Sequence, residues 1–234
     1  MKFLLVMTAC INVGAPEEIA LREQEYESAL DFWLRNNDPR LTSILFIENS
    51  GHPLTAMRER AARSWKKVEF ISLNLNDSRP KNLHYGFSEM QMLDAAIYKS
   101  KLVRESTHMI KVNGRTPFPG LPRLLDRLGK FECAVDARRK HVTTQLFLCS
   151  IDFYRERLSG AYLEMVDNPR HIERVYLDRL LPLRGRRGVK LRFPVNCDPV
   201  GRAGHWGKSY DGWKHRSKSL VRSVASGVAP WWWI

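Results

Sequence analysis

"FLLVMTACI" (residues 3–11) and "TSILFIENS" (42–50) decide the fold. Each is a continuous apolar run that ends in small or polar residues, the pattern of a strand buried on both faces of a parallel sheet. Between them "EEIALREQEYESALDFWLRN" (17–36) sets Ile19, Tyr26, Leu30, Trp33 and Leu34 at roughly helical spacing, so the three pieces read as one strand, helix, strand unit. The pattern then repeats. "KVEFISLN" (67–74) passes through "LNDSRPKNLHYG" into a helix over 87–103, whose Met90, Leu93, Ala96 and Ile97 share a face. "THMIKVN" (107–113), "FECAVDA" (131–137) and "TTQLFLCSI" (143–151) follow as strands. Alternation of this kind predicts an α/β fold with a Rossmann-type, mainly parallel sheet flanked by helices.

Composition bounds what such a fold would serve. With 234 residues, 44% of them hydrophobic, the chain can bury a full core in one domain. A formal charge of +13 and a pI near 9.9 favour polyanionic partners: nucleic acid, an acidic membrane face or a phosphate-bearing substrate. The basic clusters "DARRKH" (136–141), "LRGRRGVKLR" (183–192) and "KHRSKSLVR" (214–222) load the second half. Cys10, Cys133, Cys149 and Cys197 are far apart in sequence and form no CxxC pair, which argues for reduced thiols and a cytosolic compartment. The opening "MKFLLVMTACINVGA" imitates a secretory signal, but its apolar run is short for one, and it reads as the first strand. No stretch has the ~18 or more apolar residues of a membrane span.

In open α/β sheets ligands bind beyond the carboxyl ends of the strands, so the residues that close each strand are the candidates. Here they are Thr8 to Asn12, Glu48 to Gly51, Asn113-Gly114-Arg115 and Asp136-Ala137-Arg138. Glu48, Asn49 and Ser50 have the acceptors and donors to bind a nucleobase or ribose, though an ordinary turn would also choose Asn-Ser-Gly. "YGFSEM" (85–90) opens a helix, with Ser88 as a candidate cap and Gly86 permitting close backbone approach to a phosphate. A plain capped helix would have the same residues.

The order "TACINVG", "YESALDFWL", "ILFIENSG", "YGFSEMQMLDAAI", "IKVNGR", "VDAR", "HIERVYLDRLL" and "GRAGHWGKSY" resembles bacterial glycosyltransferases of surface-polysaccharide (lipopolysaccharide or capsule) assembly, across residues 1–222. The resemblance implies a GT-A-like domain: a nucleotide-binding half (1–115), an acceptor half (116–222) and a tail (223–234). It implies a nucleotide-diphospho-sugar donor, with Thr8, Glu48, Asn49 and Ser50 around the nucleoside and Gly86 and Glu89 near the ribose and diphosphate. "KVNGR" would stand where many such enzymes carry an Asp-x-Asp pair that holds Mn²⁺ or Mg²⁺. Asn113 and Arg115 are no substitute for two carboxylates around a hard cation. Charge on the leaving group would then be met by Lys111, Arg115 and Arg138, with Asn113 and Gly114 shaping the tip. Asp136 is still available as one ligand, so metal-free and Mg²⁺- or Mn²⁺-dependent chemistry both stay open.

Inverting transfer also needs a base within about 3 Å of the acceptor hydroxyl. The helix start "NPRHIERVYLDRLL" (168–181) makes Glu173 the first candidate, with Asp136 and Asp152 behind it. "NCDPVGRAGHWGKSYDGW" (196–213) is rich in glycine and offers His205, Lys208 and Tyr210 to a diphosphate, as a loop able to close. The final "GVAPWWWI" suits a membrane interface, a partner groove or a disordered end. The expected partners are the donor, a glycan or lipid-linked acceptor and an anionic membrane surface, at the cytoplasmic side. Two other functions remain: a non-catalytic basic module for nucleic acid or membrane, and a sugar-phosphate nucleotidyltransferase. Nucleic acid is not expected, because aromatics are not interleaved with the basic residues. Nucleotidyl transfer needs a glycine-rich phosphate loop after the first strand, and "INVGAPEE" has one glycine.

Overall fold

Strand β1 (Phe3–Ala9) is buried at every residue and lies inside the sheet in a computed structural model that describes residues 1–138, 141–166 and 171–201. Both its neighbours run parallel to it: β2 (Ser43–Glu48), with Thr8 beside Ile47, and β4 (His108–Asn113), with Thr8 beside Asn113. Outside β2 comes parallel β3 (Lys67–Ser72). Beyond β4 come β8 (Leu146–Ser150), β5 (Cys133–Ala134) and β9 (Val189–Lys190), in the order β3-β2-β1-β4-β8-β5-β9. β8 is antiparallel to both its neighbours, whereas β9 pairs parallel with β5. The sheet is therefore mainly parallel, as expected, with one reversed strand inside it. A separate ribbon pairs β6 (Ala137–Arg138) with β7 (His141–Val142).

Side-chain alternation divides the core into two layers. Leu5, Met7, Ile44 and Phe46 pack under α1 (Pro16–Arg35), α2 (Thr55–Ala62) and α5 (Leu121–Leu128). Leu4, Val6, Leu45, Met109 and Phe147 pack under α3 (Gly86–Lys99), α4 (Lys101–Glu105) and α7 (Ile172–Leu180), with α6 (Ile151–Phe153) and the π-helical turn Tyr154–Leu158 beside them. The chain lays β1, β2 and β3 to one side and then returns to place β4 on the other. That reversal opens a crevice at the carboxyl ends of β1 and β4.

The local differences from expectation have identifiable causes. The helix over 87–103 is broken at Ser100, which is extended at φ −67°, ψ 135°. The Ser100 hydroxyl accepts from the Val103 amide at 3.1 Å and donates to Glu69 at 2.6 Å, and Glu69 also accepts the Lys101 and Leu102 amides. Strand 131–137 divides into β5 and β6, because beyond Ala134 the Val135 and Ala137 amides bond to Lys190 and Leu191 rather than to β8. Helices α2 and α5 are additions to the expected elements. Cys133 and Cys149, distant in sequence, are direct cross-strand partners, both buried and free. Burial pushes the Cys133 thiol up to about 12. Among the described residues no helix is long and apolar enough to cross a membrane.

Candidate active site

At the crevice one series of hydrogen bonds joins five residues from five separate segments. Thr8, the penultimate residue of β1, donates its hydroxyl to Glu89 in the first turn of α3 at 2.9 Å. The Lys111 ammonium, on β4, donates to the same Glu89 oxygen at 2.5 Å and to the Thr144 carbonyl at 2.7 Å. The Thr144 hydroxyl, just before β8, donates to Glu173 in the first turn of α7 at 3.0 Å. Lys111 is fully buried, while the Glu89 side chain keeps 20% of its surface and Glu173 is half-buried. Both carboxylates belong to helices that start at this edge, where the helix dipole favours negative charge.

Lys111 occupies the position in β4 that faces α3 and α7, and an apolar residue there would only extend the core. The buried lysine is tolerated because its three donors meet a carboxylate and a carbonyl. Gly114 follows from the same close packing. Its amide donates to the Thr8 carbonyl at 3.0 Å, and a Cβ would stand 2.6 Å from that oxygen and 3.0 Å from the Tyr26 ring. Asn113 is half-buried, and its side-chain oxygen accepts the Arg115 amide at 3.1 Å. Arg115 turns to the opposite layer, 2.9 Å from Glu25 and over the Tyr26 ring at 5.8 Å. Lys111 and Arg115 thus each carry a carboxylate partner already, so neither brings an uncompensated charge to the strand edge.

The tip of β2 is used internally. Glu48 has no exposed surface, and its oxygens accept the Ile11, Ser50 and His52 amides at 2.9–3.1 Å as well as the Ser50 hydroxyl. Ser50 in turn accepts the Ile11 and Asn12 amides. Asn49, also buried, donates to the Ser88 carbonyl and accepts the Leu75 amide. Glu48, Asn49 and Ser50, three of the four residues expected around a nucleoside, thus brace the loops after β1 and β2. The Cys10 amide donates to the Tyr26 hydroxyl and the Val13 amide to the Ile11 carbonyl, so the loop after β1 turns its first amides inward.

Gly86 admits close approach of a neighbour, and that neighbour is α7: its missing Cβ would lie 2.6 Å from the Ile172 side chain. The Asp136 carbonyl accepts the Thr143 amide, and its side chain is half-buried. Asp152 is well exposed and 3.8 Å from Arg155, on the far side of β8 from the Thr144 end, so it is not part of the series. Arg138 lies in β6, its side chain outside the description; His205, Lys208, Tyr210 and the Trp-rich tail lie outside the described residues. Sequence reasoning missed two participants. Thr144 bridges Lys111 to Glu173, and Arg22 of α1 reaches 3.5 Å from the Cys10 carbonyl at the end of β1. The only sequence signal for Arg22 was its place in the second turn of the helix that returns over that strand.

Between Asn113 and Arg115 the β4 tip carries no carboxylate of its own. The Asn113 amide oxygen accepts the Arg115 amide, and the nearby Glu25 carboxylate is paired with a guanidinium. Among the described residues no three His, Cys, Asp or Glu form a metal-binding group.

The strand order, the reversed β8 and the crevice beside β1 define a GT-A-like α/β fold. In particular, the chain is similar to a protein of Desulfovibrio desulfuricans assigned as a nucleotide-diphospho-sugar transferase, with 10% identity, 81% of this chain and 78% of that one covered, and a TM-score of 0.50. It is equally similar to the 4-diphosphocytidyl-2C-methyl-D-erythritol synthase of Anaerococcus prevotii, with 9% identity, 94% and 95% covered, and a TM-score of 0.50. No protein-family model and no curated protein matches the sequence. At these identities the likeness is one of fold.

Proposed function

We propose that the protein is a glycosyltransferase that moves a hexosyl or related sugar from a nucleotide-diphospho-sugar to a hydroxyl of a growing surface glycan or lipid-linked acceptor, at the cytoplasmic side of a membrane. The observation that carries this reading is the Thr8, Glu89, Lys111, Thr144, Glu173 series at the crevice of a GT-A-like sheet. It supplies one carboxylate held by a buried cation and a second oriented by a hydroxyl. In this scheme Glu173 removes the acceptor proton while the acceptor oxygen bonds to the anomeric carbon. The bond from that carbon to the diphosphate breaks, and its electron pair leaves with the nucleotide. Glu89, fixed by Thr8 and Lys111, positions the donor sugar. Arg22, with Arg138 and the 196–213 segment, meets the diphosphate charge, and no step is routed through a metal.

The A. prevotii likeness raises nucleotidyl transfer as the competing chemistry. Against it stands the loop after β1, whose amides at Cys10, Ile11, Asn12 and Val13 are bonded within the protein instead of presented to a phosphate. Thermal-shift measurements with UDP-, GDP-, CMP- and dTDP-sugars, with and without Mn²⁺, provide the test. One donor class should stabilise the protein, and Glu173→Gln should lower turnover by about 10²–10⁴-fold while that stabilisation persists. Retained turnover would exclude Glu173 as the base. Stabilisation by nucleoside triphosphates in place of nucleotide sugars would favour nucleotidyl transfer, and salt-sensitive DNA binding with no nucleotide response would favour the basic module.

A further inference from the structure

Lys111 and Arg115, the cations at the β4 end of the crevice, are each paired with a carboxylate. Unpaired cations line the opposite edge of the sheet, where β1 to β5 and β9 begin and β8 ends. Main-chain hydrogen bonds make that edge one continuous surface. The Lys67 amide donates to the Thr42 carbonyl, the Thr107 and His108 amides to Lys2, the Ile151 amide to Thr107, the Ser150 amide to Glu132 and the Glu132 amide to Gly188. Along it Lys2, Arg63, Arg104, Lys130 and Arg187 are exposed and, among the described residues, have no carboxylate partner. Its acids Glu105, Glu132 and Asp152 already face Lys67, Arg186 and Arg155 at 3.3, 3.3 and 3.8 Å. Trp65, between Arg63 and Lys67, is 60% exposed, and α3 ends near this edge with Tyr98 63% exposed beside an exposed Lys99.

We propose that this edge is the docking surface for an anionic phospholipid bilayer. The unpaired cations meet headgroup phosphates, while the indole of Trp65 and the phenol of Tyr98 sit at headgroup level, where amphipathic rings are favoured. From β3 to β9 the strand starts spread over roughly 29 Å at ~4.8 Å per strand. Cations distributed over that width match a plane of headgroups; a nucleic-acid strand would need aromatics set one after another along a charged groove. The parallel strands are about six residues long, so at ~3.3 Å per residue the crevice opens about 20 Å farther from the headgroups. Docking itself does not depend on the glycosyl-transfer reading. Taken with that reading, the height selects a growing glycan over a sugar still next to its lipid.

Flotation of the full chain with vesicles of phosphatidylcholine, alone or with about one-third phosphatidylglycerol, tests the surface, because each cation near anionic headgroups contributes about fivefold in binding. The protein should float with the anionic vesicles only, and less as salt rises. A quadruple edge variant, Lys2→Gln, Arg63→Gln, Lys130→Gln and Arg187→Gln, should lower that binding by about tenfold or more. Trp65→Ala should lower it by about threefold. A control that removes the same charge elsewhere, Arg58→Gln, Lys81→Gln, Arg123→Gln and Arg157→Gln, should change it by less than about threefold. All these side chains are exposed, so the unfolding temperature should stay at the wild-type value in each variant. Equal losses in the two quadruple variants would reduce the effect to net charge and overturn the surface. Unchanged binding in the edge variant would overturn it too, by moving attachment to residues outside the edge. Random-sequence DNA bound by the wild type and lost in the edge variant, with no flotation of either, would reassign the cations to nucleic acid. None of these outcomes bears on sugar transfer, which the nucleotide-sugar thermal shifts test separately.

Discussion

Lys111 has almost no contact with solvent, yet its ammonium sits between the Glu89 carboxylate and the Thr144 carbonyl. Removing one member of a buried pair strands the other, so Lys111→Met is expected to cost ~3–5 kcal/mol in urea unfolding. The double variant Lys111→Met, Glu89→Gln should recover part of that loss, because no buried charge is then left alone. A lysine inside an apolar strand was legible in the sequence as something that needs a reason. Its partner was not, because Glu89 arrives from a helix 22 residues earlier and only tertiary packing selects it. The same holds for Arg115, paired with a glutamate 90 residues away. Arg115→Ala should therefore act first through α1, lowering stability by ~1–3 kcal/mol as Glu25 loses its charged partner. Glu25→Gln should lower it similarly, which a direct role in holding the donor would not produce.

At the scale of elements, the break between α3 and α4 shows how one acidic side chain overrides helical periodicity. Glu69 on β3 collects the Ser100 hydroxyl and the Lys101 and Leu102 amides, three donors at a helix start. Apolar spacing through 87–103 gave no warning, because the carboxylate that stops the helix comes from a neighbouring strand. Burial opposes ionisation of Glu69, but the Leu102 amide, Ser100 hydroxyl and Lys101 amide outweigh it and lower its pKa from the ordinary 4.5. Between the lowered folded value and 4.5 the unfolded chain binds more protons, so this contribution is complete above pH 4.5 and is lost as pH falls through the folded value. Glu69→Gln is expected to cost ~0.5–2 kcal/mol at pH 7, a typical capping loss. The deficit relative to wild type should shrink in acid, as measured by thermal unfolding from pH 7 down to 3.

At the scale of the whole molecule, both core layers mix residues from the first and second halves of the chain. One layer runs from Leu4 to Leu191, and the other joins Phe3 to Leu148. A fragment of residues 1–115 would expose the edge of β4 that β8 covers, together with the apolar faces that α5 and α7 cover. It should give no cooperative thermal transition by circular dichroism, whereas the full chain should give one. The sheet itself was legible because each parallel strand is a short apolar run that carries its own signal. The reversed β8 was also visible as a strand, but its direction and its place between β4 and β5 depend on pairing partners that no local pattern encodes.

The Gly114 amide bonded to the Thr8 carbonyl ties the ends of β1 and β4 together with no side chain between them. That side of the crevice is an anvil, main chain against main chain and braced from behind by Tyr26. The opposing side is made of helix starts held by side chains: Ile172 against Gly86, His171 edge-on to His84, and Glu89 and Glu173 bonded to Thr8, Lys111 and Thr144. Side-chain contacts of that kind readjust more readily than main chain bonded to main chain, so substrate range should be set by the helices while the strand ends stay still.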